Sequence, residues 1–324
     1  MIGNISLIIP TYKRPDKLRR LLWSLTKQTL TQFEILVVDN DPNPKTRNVV
    51  YTFNKVAKVK AKYFSEPRVG LHNARHTGAK KATGDILVLT EDEATYHPRW
   101  LESYRDAFGA YPQMAAAGGP IAPKWDRKPP RWLLELIGSS NTFAPLSLMK
   151  LNGGFRLGKK GFFYGGNMAI RKKVLFDLGG FNPEIFGDIW LGDGETGLNR
   201  KMWRKGLLIG YVPDALMYHH IEKWKMTMKF FLLRLANQGR CDVYTLFHEG
   251  GIPKNTFGMF AFLPDLLAIH IRYFMKTFVL GYRAPTEIKL KLQIMRLRAQ
   301  VDYMKQAMHD AKLQQLITRK HWLT

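Results

Sequence analysis

The sequence predicts an α/β fold: a mostly parallel sheet with helices on both faces, followed by a basic, mainly helical C-terminal region. Three observations carry this. Short apolar, β-branched runs recur through the first 120 residues, and amphipathic stripes separate them. Beyond Ile221 the pattern turns helical, with 17 Lys/Arg against 7 Asp/Glu. Strands alternating with helices imply a parallel sheet packed on both sides.

The elements follow in order. Ile5 to Ile9 is an apolar run ending at Pro10, which suits a strand buried on both faces. Pro15 and Asp16 open a helix, proline being tolerated in the first turn, and Leu18, Leu21, Leu22 and Leu25 form its stripe. Phe33 to Val38 is a second strand and Ala61 to Phe64 a weaker third. Leu71 to Ala82 reads as a helix stopped by Gly84. Ile86 to Leu89 is a fourth strand, and Ala115 to Ala117 a fifth that leads into Gly118-Gly119. Patterning fades from Pro120 to Tyr164, a stretch rich in Gly, Pro and Trp; loops this long in a domain are usually functional or mobile. It returns from Asn167 to Met217. The boundaries expected are 1–222 for a catalytic domain, with halves at 1–120 and 120–222, and 223–324 for a basic helical extension.

Composition narrows the class. The 324 residues are 45% apolar and 23% charged, close to a globular average. Cys241 is the only cysteine, so no intrachain disulfide forms and nothing points to an oxidised, secreted scaffold. The first apolar run is too short for a signal peptide, and a cytoplasmic location is expected. The net charge of +24 favours anionic partners without choosing among nucleic acid, acidic lipid and phosphorylated small molecules. The longest apolar run, 257–280, is broken by Pro264, Asp265, Arg272 and Lys276, which argues for an interfacial or core segment over a spanning one. In the last third, Leu290, Ile294, Leu297, Val301, Met304 and Met308 repeat at 4-3-4-3-4. Packing against the catalytic domain is the first use expected of that seam, and a homodimer the second.

Ligands of parallel sheets sit beyond the carboxyl ends of the strands, and polar groups stand there. Glu91-Asp92-Glu93 follows a buried strand; three adjacent carboxylates repel unless solvent, basic groups or a hard divalent cation relieves them. A solvated acidic turn is the plain alternative. Asp39-Asn40-Asp41 follows another strand and could accept from a ribose or base, or only make a turn. Arg75 lies on the first turns of a helix, where it could meet phosphate or be an ordinary surface arginine. Asp193-Gly194-Glu195 opens a helix, so a carboxylate here is a cap or a general base. His219-His220 follows a late strand and carries only a slight metal signal.

Together, these stretches resemble family-2 glycosyltransferases, an inverting group with the Rossmann-like GT-A fold. The resemblance spans about residues 5–240. It rests on Ile8-Ile9-Pro10-Thr11-Tyr12-Lys13-Arg14-Pro15, Val37-Val38-Asp39-Asn40, Gly70-Leu71-His72-Asn73-Ala74-Arg75 and Gly84-Asp85 leading to the acidic cluster. It continues through Gly165-Gly166-Asn167-Met168-Ala169-Ile170-Arg171, Gly179-Gly180-Phe181 and Gly194-Glu195-Thr196 with Arg200 and Gly206.

What the resemblance implies is specific. Pro10, Thr11 and Tyr12, with Arg14, match the loop around the nucleotide, Asp39 the carboxylate that holds base or ribose, and Arg75 a basic residue beside it. The acidic cluster matches an Asp-x-Asp metal site: Asp92 as direct ligand of Mn2+ or Mg2+, Glu93 and His219 beside it, and Glu91 toward the nucleotide. Glu195 matches the general base, with Asp193 its nearest competitor and the expected helix cap. Gly165, Gly166 and Asn167 would lie along the donor sugar. Trp125 and Trp132 are candidates for sugar stacking, or for packing the loop on the core. The chain departs from the family pattern twice. Thr90 and Glu91 stand where the first two aspartates are usual, and the usual Glu-Asp pair at the base reads Gly194-Glu195.

The expected function is transfer of a sugar, from a donor expected to be UDP-linked, to a hydroxyl of a saccharide or lipid-linked acceptor. Such a role belongs to polysaccharide or glycoconjugate synthesis. The basic C-terminal third suits docking on an anionic membrane, since each Lys or Arg near such a surface contributes about 1 kcal/mol. Three rivals stand beside this reading: a nucleic-acid-binding protein, disfavoured by charge spread over the chain without a binding motif; an inactive scaffold; and a nucleotidyltransferase, disfavoured by the lack of glycine between Pro10 and Pro15.

Overall fold

The computed structural model describes residues 3–187, 189–252 and 286–323, with six positions between 264 and 275. Its strands are β1 (Ile5–Thr11), β2 (Phe33–Asp39), β3 (Ala61–Ser65), β4 (Ile86–Leu89), β5 (Ala94–Tyr96), β6 (Met114–Gly118), β7 (Ile121–Trp125), β8 (Thr142–Phe143), β9 (Leu148–Met149), β10 (Arg156–Gly158), β11 (Met168–Arg171), β12 (Ile185–Phe186), β13 (Ile189–Trp190), β14 (Leu208–Tyr211) and β15 (Met217–Ile221). The helices are α1 (Pro15–Leu25), α2 (Pro44–Val56), α3 (Leu71–Lys81), α4 (Trp100–Ala110), α5 (Arg131–Ile137), α6 (Lys172–Asp177), α7 (Gly194–Arg204), α8 (Met228–Gly250), α9 (Thr286–His309) and α10 (Ala311–Thr318).

Eight strands form the main sheet in the order β10-β14-β6-β11-β4-β1-β2-β3. The side from β4 to β3 is parallel, as expected, but β11 runs antiparallel to both β4 and β6. Every residue of β1 and β4 is buried. The alternation of their side chains divides the core: Leu7, Ile9, Ile35 and Val88 pack with the leucines of α1 on one face, while Ile8, Leu36, Leu87 and Leu89 pack with Ala74, Leu175 and Leu198 on the other.

A second sheet, β5-β15-β7-β9-β8, adjoins the first. The stretch 120–164 supplies three of its strands and α5, so what reads as an irregular loop carries short ordered elements. Trp125 and Trp132 belong to this packing. Trp132 meets Phe231 edge-on with ring centroids 5.3 Å apart, and both tryptophans lie against the main core. Asn167 is likewise consumed by structure: fully buried, it accepts from Trp100 Nε1 and Tyr104 OH and donates to the carbonyls of Pro120 and Ala215.

The C-terminal helices pack on their own chain. Leu290, Val301 and Met304 of the predicted seam are buried, and Val243, Tyr244 and Phe247 of α8 join Tyr303, Met304, Leu313 and Ile317 in a third cluster that includes Leu191. Gly239 of α8 makes this approach close; a Cβ there would lie 2.2 Å from the Arg296 carbonyl oxygen of α9. Most of the apolar run 257–280 lies outside the described residues; Leu267, Ile271 and Met275 within it are exposed. Among the described residues no helix is long and apolar enough to cross a membrane.

Candidate active site

The register β1–β2–β3 aligns Thr11, Asp39 and Ser65 at one edge, and β4 ends at Leu89, opposite Ile8 of β1, with Thr90 following. The chain then leaves the main sheet through Glu91-Asp92-Glu93 and enters the second at Ala94, whose partner on β15 is His219. The acidic cluster is thus the hinge between the sheets, and pairing with β15 brings the late histidine back to it.

The three acidic side chains have different surroundings. Asp92 is buried; its Oδ2 accepts from the Thr11 hydroxyl at 2.8 Å, and Arg14 Nη1 stands 3.4 Å from Oδ1. Burial outweighs the Arg14 charge and moves its pKa up to about 6. Glu93 sits among cations: Lys17 at 2.6 Å and Arg14 at 2.9 Å on Oε1, with Lys225 on Oε2. Burial opposes its charge, but His219, Lys225 and Lys17 outweigh it and hold the carboxyl well below the usual range. Both Glu93 oxygens are therefore occupied by ammonium and guanidinium groups, which leaves no room for it as a metal ligand in this arrangement. Glu91 is half-buried, with Arg75 Nη2 at 3.4 Å. His219 places Nδ1 2.9 Å from the Leu146 carbonyl and Nε2 3.7 Å from Glu93 Oε2 and 3.4 Å from Lys225 Nζ.

Arg75 is neither a surface side chain nor free to meet a ligand with its whole guanidinium. It is fully buried, donates to the Gly165 carbonyl at 2.7 Å, and lies 3.7 Å from Glu195 Oε2. A Cβ on Gly165 would come within 2.7 Å of Arg75 Nη1 and 3.1 Å of Glu195 Cδ. Glycine is required there by Arg75 and Glu195, a nearer cause than the donor sugar. At Gly166 a Cβ would make only ordinary contacts, with Glu91 and Met217.

Glu195, in the first turn of α7, accepts from the Gly165 N–H at 3.4 Å. His72 Nε2 stands 3.7 Å from its Oε2, and that oxygen has no hydrogen-bond partner. Burial opposes the carboxylate form, but His72 and then Arg75 hold the carboxyl well below its ordinary range, so it is anionic at neutral pH. Glu195 opens on a cavity of about 350 Å³ walled by Phe162, Tyr164, Glu184, Trp190 and, from α8, Arg234.

Asp193 departs from expectation. It precedes α7 at φ 77° and makes no capping bond. Its carboxylate instead accepts from Asn182 Nδ2 at 3.0 Å and Thr245 Oγ1 at 3.1 Å, tying α7 to α8. Burial raises its pKa to about 7, against these two bonds. An acid raised in the folded state loses stability as pH rises from its unfolded value, near 4, to its folded one. Urea denaturation should show stability falling by at most about 1.4 kcal/mol per pH unit over that window, and Asp193→Asn should remove this contribution. An unchanged slope in the variant would show that Asp193 ionises normally.

At the nucleotide end, Asp39 accepts from Tyr63 OH at 2.9 Å and from the Asp41 N–H at 3.0 Å. Tyr12 is exposed, Pro10 and Thr11 are buried, and Lys13 and Lys45 border an open hollow with Pro15, Asp41 and Asn43. The sequence reading missed Lys17, Lys225, His72 and Glu184. The first two are ordinary lysines on basic stretches, and nothing local marks them as partners of Glu93.

The comparisons agree with this architecture. The profile of the family described as Glycosyl transferase family 2 matches residues 6–179. The chain belongs to that family. A glucosyl-dolichyl phosphate glucuronosyltransferase of Haloferax volcanii is 23% identical over 279 residues, covering 83% of this chain and 84% of that one. Among solved structures, a mannosyltransferase from Pyrobaculum calidifontis in complex with GDP-Man and Mn2+ superposes with a TM-score of 0.62 at 16% identity, covering 96% and 88% of the two chains. TarS of S. aureus, residues 1–349 in complex with UDP-GlcNAc, gives 0.52 at 15% identity, covering 95% and 91%. The shared fold is GT-A.

Proposed function

We propose that the chain transfers a sugar from a UDP-linked donor to a hydroxyl of a saccharide or lipid-linked acceptor, with inversion at the anomeric carbon. The observation that carries this is Glu195: an anionic carboxylate that lines a cavity, held by His72 and Arg75 3.7 Å from its buried Oε2 and joined through Arg75 and Gly165 to the acidic cluster at the end of β4. Thr11, Tyr12, Arg14 and Asp39 line the edge where the nucleotide would lie, and Arg14 would face its diphosphate. Glu195 takes the proton of the acceptor hydroxyl as its oxygen attacks the anomeric carbon, and the nucleoside diphosphate leaves from the opposite face. A positioned base contributes about 10²–10⁴-fold in rate.

A divalent cation fits this donor set in part. Magnesium and manganese sites of this kind use one or two carboxylates and complete their shell with substrate phosphates. Asp92, whose Oδ1 meets only Arg14 Nη1 at 3.4 Å, half-buried Glu91 and His219 are the groups that would hold it; Glu93 would serve as the anion that gathers Lys17 and Lys225. Bound there, the cation would neutralise the leaving diphosphate. Titration calorimetry of UDP with Mn2+ and with chelator tests this reading. Binding should weaken severalfold or more in chelator; equal affinity would remove the metal role from Asp92. A chain that neither binds nor hydrolyses any nucleotide sugar would be the inactive scaffold, and salt-dependent retention of nucleic acid would favour that binding class instead.

The Haloferax relative supports a lipid-linked acceptor, and the exposed Leu267, Ile271 and Met275, at intervals of four among basic neighbours, support peripheral docking on the cytoplasmic face of a membrane. Sedimentation with anionic vesicles should fall as salt rises and the screening length shortens below about 8 Å. Leu267→Ser with Ile271→Ser should weaken it; vesicle binding indifferent to both would place docking elsewhere.

A further inference from the structure

The chain lacks the acidic residue usual just before the base, carrying Gly194 there. The structure has a carboxyl group nearby from another segment. Glu184, at the start of the β12–β13 hairpin, lies so close that a Cβ on Gly194 would meet its Cγ at 3.2 Å and the His72 ring at 2.8 Å. Gly194, at φ +40°, thus leaves space in which Glu184 reaches over the first turn of α7. Glu184 lines the same cavity as Glu195, yet its side chain makes no hydrogen bond and no ion pair within 4 Å among the described residues; its carbonyl accepts from the Leu191 N–H. The aromatic walls Phe162, Tyr164 and Trp190 suit the apolar face of a sugar ring, and a volume of about 350 Å³ is at the small end for a ligand pocket.

We propose that Glu184 is the second carboxyl group of the acceptor site: it hydrogen-bonds one hydroxyl of a sugar ring whose neighbouring hydroxyl gives its proton to Glu195. This rests on Glu195 being the base. The charges around Glu184 divide the two roles. It faces Glu195 of α7, His72 and Arg75 of α3, and Arg234 and Cys241 of α8, with Asp193 on the same cavity wall. Arg75 and His72 are closest to Glu195 and hold it ionised. Glu184 is left with burial and the Glu195 charge, which raise its pKa against the weaker pull of His72, Arg234 and Arg75. Two carboxyl groups on one cavity wall are least strained with one proton between them. A carboxylic acid beside a carboxylate offers one donor and one acceptor to adjacent hydroxyls.

The amide of Glu184→Gln imitates the neutral acid, whereas Glu184→Ala removes the donor. Methyl glycosides of glucose, galactose and mannose serve as probes, with binding measured by NMR across pH and protein melting recorded for each variant. Glu184→Gln should bind them within about threefold of the unaltered chain and Glu184→Ala at least about tenfold more weakly. Binding to the unaltered chain should decline toward alkaline pH, and Glu184→Gln should abolish that decline. Unchanged binding by Glu184→Ala, Glu184→Gln as defective as Glu184→Ala, a decline that persists in Glu184→Gln, or no glycoside binding by the unaltered chain would each overturn the inference. Glycoside binding that depends on Glu184 in a chain that turns over no donor would instead overturn the transferase reading, and with it the proton transfer to Glu195, and leave only the contact of Glu184 with a sugar hydroxyl.

Discussion

Glu195→Gln should lower turnover by about 10²–10⁴-fold while leaving donor affinity nearly unchanged. The amide keeps the shape and the Gly165 contact but offers the acceptor hydroxyl no basic oxygen. Arg75 retains Glu91 and the Gly165 carbonyl, so the fold should survive, which a thermal melt checks. Asp193→Asn should stay active, because Asp193 turns its oxygens to Asn182 and Thr245. The reverse result, with Glu195→Gln active and Asp193→Asn folded but dead, would move the role two residues upstream.

Arg75→Met should be the most destabilising single change in the site, by about 3–5 kcal/mol, the usual cost of stripping one partner from a buried ion pair. Arg75 is fully buried between α3 and the Gly165 loop, and its removal leaves Glu195 and the Gly165 carbonyl without their cation and donor. Arg75→Lys should recover only part of the loss, since one ammonium cannot reproduce a fork that meets Gly165, Glu91 and His72 together. Chemical denaturation gives the ranking directly. A neutral Arg75→Met would show that the guanidinium is held for a ligand and contributes nothing to the fold.

The strands of the nucleotide half were legible because buried parallel strands are continuous apolar runs: Ile5–Thr11, Phe33–Asp39 and Ile86–Leu89 fall where their patterns place them. Helix α3 ends at Lys81, one residue before its reading. Helix α2, capped by Asn43 with Pro44 behind it, had a start signal that the Asp-Pro and Asn-Pro turn reading masked. The second sheet was illegible for a physical reason. Its strands β8 and β9 have two residues each, too short to show a period, and the sheet joins β5 to β7 only through β15, which returns from far along the chain. Site residues on recognisable strand ends, such as Thr11, Asp39 and Asp92, could be named. Their partners could not, because Lys17, Lys225 and Glu184 acquire meaning only through contacts made across long stretches of sequence. The Glu195 reading came from the family resemblance, but its setting between His72 and Arg75 required the packing of α3 against α7.

Inversion by a single displacement is the claim on which the roles of Glu195 and the diphosphate edge depend. Proton NMR of the freshly formed product, from a nucleotide sugar of known α configuration, tests it most directly. The account predicts a β-linked product. An α-linked product would require two displacements or a front-side path, and would contradict the assignment of Glu195 as the base of a one-step transfer.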